Sequence, residues 1–593
     1  MSSSVNRELG TDQVVWDLAA LYESPQDPLI HDDIDLCEQE AALVREQFSG
    51  CLAELKPAVF ARTIRRLERI AMTLGRLSTY AYLRFSVNVK DAETGSFLQH
   101  IREIGSRISR ETVFFELEWA KMDEASAQAF LEAPETADYH HYLLTLRRHA
   151  DHLLSQVEET LLIEFSPVGR SSWTGLFEKV MAHQRYGRKG QSQEEVLAAL
   201  YSPDREVRQQ AARDLTRGLK AEEHILAHIF NTLLAEKMID DRLRSYPSWI
   251  SSRNLTNELD DETVDTLVNC CTARYDIVQR YYILKKELLG LDELRDYDRY
   301  APIDNLPADS IPWAECRETV LAGFADFSPK MAEIASLFFS RNWIHAPIID
   351  GKQSGAFAHP AVPDAHPYVL LNYTGNLRDV STVAHELGHG IHQYLARKQG
   401  YFNSDTPLVL AETASVFAEL LIFHRQLDMI GDAQQRRAFL CQKLESIFAT
   451  VFRQISMNRF EDLIHTERRD RGELSAERFA ELWLQSQTAM FGDSVSLTDD
   501  YGCWWSYIPH FLHSPGYVYS YAFGELLVLS LYKLYQNQGE DFVPNYLELL
   551  ARGGSRSPGD LLRPFDIDLN DGSFWDGGIA VIDAMLTEVE VTP

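Results

Sequence analysis

The run His385-Glu386-Leu387-Gly388-His389 carries the densest chemistry in this chain. On a helix, residues four apart lie on one face, so the imidazoles of His385 and His389 can hold one metal ion. Glu386, about 100° round the helix, can reach a water beside that ion. Two imidazole ligands and a general base are the minimal parts of a zinc peptidase. Such a short motif also arises by chance in a chain with 19 His among 593 residues, so the elements around it must carry the reading.

The segment NLRDVSTVAHELGHGIHQYLARKQG predicts one helix, with an N-cap at Asp379 or Ser381 and a stop in basic residues and Gly400. Val380, Val383, Ala384, Leu387, Ile391 and Leu395 form its apolar stripe, and no proline interrupts it. A third ligand is needed, with a position left open. The pattern H-E-x-x-H-x-x-G-x-x-H fails, because Leu395 stands in the place of the third histidine and Gly390 is out of position. The other solution is a glutamate from a second helix. The next helical pattern, PLVLAETASVFAELLIFHRQL, offers Glu412 between Ala411 and Thr413-Ala414, with little bulk to block a metal. An unpaired carboxylate in so apolar a stretch is costly, and metal ligation removes that cost. The plainer alternative is an acid at the exposed end of an amphipathic helix. Glu419 falls on the same face and is either a partner holding a ligand histidine or a surface acid. His392 reads as a core histidine, with a substrate-facing role as the alternative.

At 45% hydrophobic and 24% charged residues the composition is ordinary globular material. The net charge of −31, from 57 basic and 88 acidic residues, argues against nucleic acid and anionic membranes as partners. The first residues show neither a basic nor an apolar leader region, and no apolar run reaches the roughly 18 residues of a membrane span. The seven cysteines are odd in number and form no C-x-x-C. They read as free thiols in a reducing cytoplasm, which is the expected location.

Long amphipathic stretches dominate and predict a mainly α protein. They run from Phe60 to about Arg84, from Gly95 to Met122, through EEHILAHIFNTLLAEKMIDDRLR, and from Glu262 to Leu289. Two β segments precede the histidine helix. Trp343–Ile349 is followed by the turn DGKQSG and by AFAHP, and Pro367–Tyr373 comes next. A strand edge beside the metal would let a peptide add as a further strand. The stretch GRKGQSQ suggests a boundary between an N-terminal helical domain, 1–195, and a catalytic domain, 196–593. His224 with His228, and the group His140, His141, His149 and His152, lack a glutamate at the motif's place and read as structural. Gly553-Gly554 has no G-K-[ST] after it and is no phosphate loop.

A peptidase also needs donors for a developing oxyanion. The segment IPHFLHSPGYVYSYAFGELL carries His510, His513, Tyr517, Tyr519 and Tyr521, with a Pro515-Gly516 loop entry. Tyr517 and Tyr521 would share a helix face. An aromatic core stripe is the alternative.

Three blocks, PYVLLNYTGNLRDVSTVAHELGHGIHQ, LAETASVFAE and IPHFLHSPGYVYSYAFGE, together resemble the oligoendopeptidase F group of the thimet-oligopeptidase family of zinc metallopeptidases. Weaker similarity extends to VVWDLAALYESPQDP and to YLELLARGGSRSPGDLLRPFDIDL. The resemblance implies a two-lobed helical body with a deep substrate channel and a small β-sheet beside the zinc helix. It implies His385, His389 and Glu412 as ligands of one zinc per chain, and Glu386 as general base. It assigns His510 and the Tyr517–Tyr521 group, which includes Tyr519, to substrate and oxyanion, with Gly355-Ala356 lining the channel; which tyrosine takes which role stays open. The expected activity is endopeptidase cleavage of short oligopeptides by a metal-activated water. An exopeptidase on the same site is the first rival, and a non-catalytic peptide-binding protein is a rival of another class. Ligand type leaves cobalt and manganese open beside zinc.

Overall fold

Amphipathic helices bury their apolar stripes against one another over almost the whole chain. The computed structural model describes residues 2–166, 168–303 and 310–592. The stretch expected from Phe60 is a helix over Pro57–Val87, with Phe60, Ile64 and Leu77 fully buried. The stretch from Gly95 is two helices, Ala92–Thr112 and Phe114–Lys121, that share Val113 as a junction. The stretch from Glu262 is also two, Asp261–Ala273 and Tyr275–Leu288, broken where Arg274 leaves helical geometry at φ −116°, ψ 27°. Neither break carries a glycine or proline, and the apolar period runs on across both.

The chain divides into two compact units. One comprises Met1–Ala150, Ala308–Met429 and Leu534–Ile567; the other comprises Asp151–Pro307, Ile430–Lys533 and Asp568–Pro593. Residue 195 falls inside the second unit. The stretch GRKGQSQ is a tight turn closed by Tyr186 and Gln191, with positive φ at Gly187 and Gly190, ahead of a helix from Gln193.

A small sheet belongs to the first unit. Its strands are β1 (Ile344–His345), β2 (Phe357–His359) and β3 (Tyr368–Leu370), in the order β1-β3-β2. β1 runs parallel to β3 and β2 antiparallel, with Ala358 opposite Val369. β1 and β3 are fully buried. Trp16 packs its ring edge-on against His345 and Tyr368, and Ala346 N–H bonds Val14 C=O at 2.9 Å, so the N-terminal segment covers this sheet. Lys352 fastens it from the turn side by donating to the carbonyls of His345, Pro347 and Leu371.

After β3 the chain turns at Thr374–Asn376 into helix α1 (Leu377–Ala396). The N-cap is Asn376, three residues before the expected Asp379. Asp379 is the third helical residue of a capping box, and its Oδ2 also accepts from the N–H groups of Thr374 and Gly375. The helix ends at Ala396, and a further turn stops at Gly400 with φ +81°. Helix α2 (Thr413–Met429) packs along it.

Candidate active site

Helix α1 is held on its apolar side. Val383, Ala384, Leu387 and Ile391 are completely buried, while Leu395 is only partly so. That rotation turns His385 and His389 together toward α2. Their ring centroids are 4.9 Å apart and their planes lie at 83°.

The two helices can approach because of Gly388. A Cβ there would stand 2.5 Å from the carbonyl oxygen of Ala414 and 2.7 Å from Ser415 Cα. Those are backbone atoms and cannot swing aside. Gly388→Ala is therefore expected to force the helices apart, costing about 1–3 kcal/mol of stability. A lowered thermal midpoint together with weakened metal binding in a chelator competition is the expected pair of results.

Glu412 is placed by the start of α2. It lies between a short turn, Leu408–Ala411, and α2 itself, and its C=O accepts from Val416 N–H at 3.1 Å. The carbonyl of the next residue, Thr413, is pinned by Tyr546 OH at 3.0 Å. Ser415 Oγ donates to Glu412 Oε2 at 2.7 Å, which fixes the carboxylate's rotation.

Glu412 Oε2 is 3.4 Å from His385 Nε2 and 3.5 Å from His389 Nε2, and the three ligand atoms all lie within 4.8 Å of one another. Ligands bound tetrahedrally at 2.0–2.1 Å stand about 3.3 Å apart, so the donor set fits a small divalent ion. The Glu412 side chain remains 44% exposed, His385 26% and His389 20%, so the cluster is open on one side as a catalytic centre requires. Burial opposes ionisation of Glu412, yet the hydrogen bond and charge of His389, then the charge of His385, bring its pKa down to about 2.

His385 is oriented from behind. Its Nδ1 lies 3.4 Å from Glu419 Oε2, which frees Nε2 for a metal. Burial works against protonation of this imidazole, but Glu419, Glu412 and Glu386 outweigh it and raise its pKa. Glu419→Gln is expected to weaken metal binding about 10- to 100-fold without unfolding the protein. Titration against a competing chelator checks this; an unchanged affinity would make Glu419 a surface acid.

Glu386 is buried at 7% exposure beside the two imidazoles. Burial raises its pKa, partly offset by His385 and His389. Its carboxylate accepts from the backbone N–H of Ala358 on β2. The C=O of the same Ala358 accepts from Gln393 Nε2 at 3.3 Å. Helix α1 therefore engages β2 through both backbone groups of one residue. The edge strand is present beside the histidines, but at Ala358 its groups are already taken. Gly355 precedes β2 with φ +83°, and its C=O, like that of Gln353, accepts from Asn372 Nδ2. Gly355 is exposed and Ala356 partly so. His392 is buried, with Nε2 3.2 Å from Thr406 Oγ1, as a core histidine would be.

The second unit brings three of the predicted residues together. His510 Nε2 is 3.3 Å from Tyr521 OH, and the rings of Tyr517 and Tyr521 are edge-on at 5.1 Å. Burial, Arg453 and His513 lower the pKa of His510. Tyr519 stands apart from them: it is fully buried, and its OH accepts from Asn257 Nδ2 at 2.8 Å. His228 faces Trp173, and His140 and His152 are spent on backbone carbonyls.

Sequence reasoning missed Gly388, Ser415, Ala358 and Gln393. Gly388 had a signal, a glycine inside a helical motif beside a predicted helix of small residues. The others act through backbone or rotamer and leave no pattern.

Known proteins resemble this chain over most of its length. The profile of a family described as Peptidase family M3 matches residues 198–580, and one described as Oligopeptidase F matches residues 118–186. Oligopeptidase PepF of Bacillus subtilis (strain 168) is 28% identical over 538 residues, covering 88% of this chain and 79% of its own. Group B oligopeptidase PepB of Streptococcus agalactiae is 26% identical over 600 residues, covering 99% and 98%. In fold, the chain matches a candidate peptidase of Chlamydophila abortus with a TM-score of 0.88 at 23% identity, over 98% of each chain. It matches oligoendopeptidase-F of Enterococcus faecium with a TM-score of 0.69 at 22% identity, over 95% and 97%.

Proposed function

This chain belongs to peptidase family M3, a metalloendopeptidase group, and on that premise we propose that it is a zinc-dependent endopeptidase of short oligopeptides. The observation that carries the reading is the cluster of His385, His389 and Glu412, three ligand atoms within 4.8 Å, with Glu386 beside it. His385, His389 and Glu412 would hold the zinc, one per chain. Zinc supplies Lewis acidity there, polarising a carbonyl and lowering the pKa of water.

The chain's own residues do the rest. Glu386 takes the proton of the attacking water on its carboxylate and returns it to the departing amine. Glu419 holds His385 in the tautomer that presents Nε2. We assign substrate and oxyanion contacts to His510, Tyr517 and Tyr521; the 3.3 Å pairing of His510 with Tyr521 supports treating them as one group. Gly355, exposed, and Ala356, partly exposed, both ahead of β2, are assigned to substrate lining.

The boundary near 195 is proposed as the division between the family's N-terminal and catalytic segments. The gap between the two matched profiles, after 186 and before 198, supports it. A cytoplasmic location is supported by seven free cysteines, which an oxidising compartment would tend to pair. Among the described residues, no helix is long and apolar enough to cross a membrane.

Cleavage of an internally quenched peptide, lost with chelator and restored by zinc, is the expected result. Substrates with amidated and with free C-termini should be cut alike at internal bonds. A requirement for a free terminus would make the enzyme an exopeptidase, and binding without cleavage would make it a peptide carrier.

A further inference from the structure

A buried acid in the second unit has no part in the chemistry above. Glu461 lies on helix α3 (Phe452–Arg471) and is completely buried. Its Oε1 accepts the backbone N–H of Gly516 at 2.9 Å, and its Oε2 has no partner among the described residues. Burial pushes its pKa up to about 8, against the pull of the Gly516 N–H and of Arg253. A buried polar atom left without a partner is costly. A hydrophobic residue would fill the space without that cost, so the one bond Glu461 makes is its distinguishing feature.

That bond goes to a conformationally special residue. Gly516 has φ +73°, which side chains avoid. An added Cβ would meet Ile250 Cγ1 at 3.2 Å, and Arg253 Cβ and Trp249 Cζ3 at 3.4 Å. The segment is thus pressed onto residues 249–253, while Glu461 grips its backbone. The grip is itself braced. Trp249 stacks on His465, one turn along α3 from Glu461, at 4.6 Å and 8°, and donates Nε1–H to Asp462 Oδ1 at 2.9 Å. Arg253 Cζ lies 5.9 Å from the centre of the Tyr517 ring. Gly516 directly precedes Tyr517, and helix α4 (Tyr519–Gln538), which carries Tyr521, starts three residues on.

We propose that Glu461 is a positioning residue: through its hydrogen bond to Gly516 it sets where Tyr517 and Tyr521 stand for substrate. The proposal rests on the assignment of substrate contacts to His510, Tyr517 and Tyr521. Glutamine offers the same acceptor at the same length, and alanine offers none.

The test uses the full zinc-loaded chain as wild type, Glu461→Gln, Glu461→Ala, Tyr517→Phe and Tyr521→Phe. Hydrogen exchange is followed in the peptic fragment holding Gly516, with kcat and KM on a quenched peptide. In Glu461→Ala, the Gly516 amide should exchange at least tenfold faster while other fragments stay protected, and kcat should fall about 10- to 100-fold, as for a small misplacement of contact groups. Glu461→Gln should restore both to within about threefold of wild type. Equal losses in the alanine and glutamine variants, with protection falling throughout the unit, would reduce Glu461 to core packing and overturn the proposal. Normal turnover in Glu461→Ala beside impaired tyrosine variants overturns it as well. Tyrosine variants of full activity would instead sink the substrate assignment itself, and the positioning role with it.

Discussion

Glu386→Gln is expected to keep one metal per chain and to lose turnover by about 10³-fold, within the range that a positioned general base contributes. The separation of the two effects follows from the geometry. Glu386 is not in the ligand cluster, which is built from His385, His389 and Glu412. Glutamine has the same shape and still accepts the Ala358 N–H through its amide oxygen, so the contact between β2 and α1 survives. What disappears is the ability to take up a proton. The measurement is metal content by elemental analysis, paired with kcat on a quenched peptide. Activity within tenfold of wild type in a metal-replete Gln variant would remove Glu386 from the base role.

His389→Ala should lose the metal itself. The cluster offers three candidate ligands, and His389 approaches Glu412 as closely as His385 does, at 3.5 against 3.4 Å. With one imidazole gone, the remaining pair cannot close a site selective for a small divalent ion. The expected result is less than about a tenth of stoichiometric metal after gel filtration, and no rise in thermal midpoint on adding zinc, because ligand binding stabilises only a fold that holds the ligand. Activity should fall to background. Normal metal content in this variant would mean that the ion sits elsewhere and would undo the proposed centre. Glu386→Gln serves as the contrast, since it should keep the zinc-dependent rise in midpoint while being nearly inactive.

Much of this centre was legible before any fold was known. His385 and His389 share a helix face by period alone, and Glu412 stood out as an acid among small apolar residues. Their convergence within 4.8 Å agrees with both signals. The mainly helical character was equally legible, because apolar stripes repeat at the helical period over long stretches. Element ends were less so. The breaks at Val113 and Arg274 leave the apolar period intact, and Asp379 reads as an N-cap because a capping-box acid and a cap draw on the same residue types.

Residue types and local spacing therefore marked the histidine pair, the candidate base and the helical class, since those depend on periodicity along one element, while Glu412 stood out by residue type alone. Tertiary structure alone decided the rest. It closed α1 on α2 at Gly388, where a backbone carbonyl leaves no room for a Cβ. It set Ala358 against Glu386, and buried Glu461 behind Gly516. The reason is physical: these contacts join backbone groups to side chains distant in sequence. A backbone N–H or C=O is the same in every residue except for the missing N–H of proline, so the amino-acid order carries no mark of which one will be used.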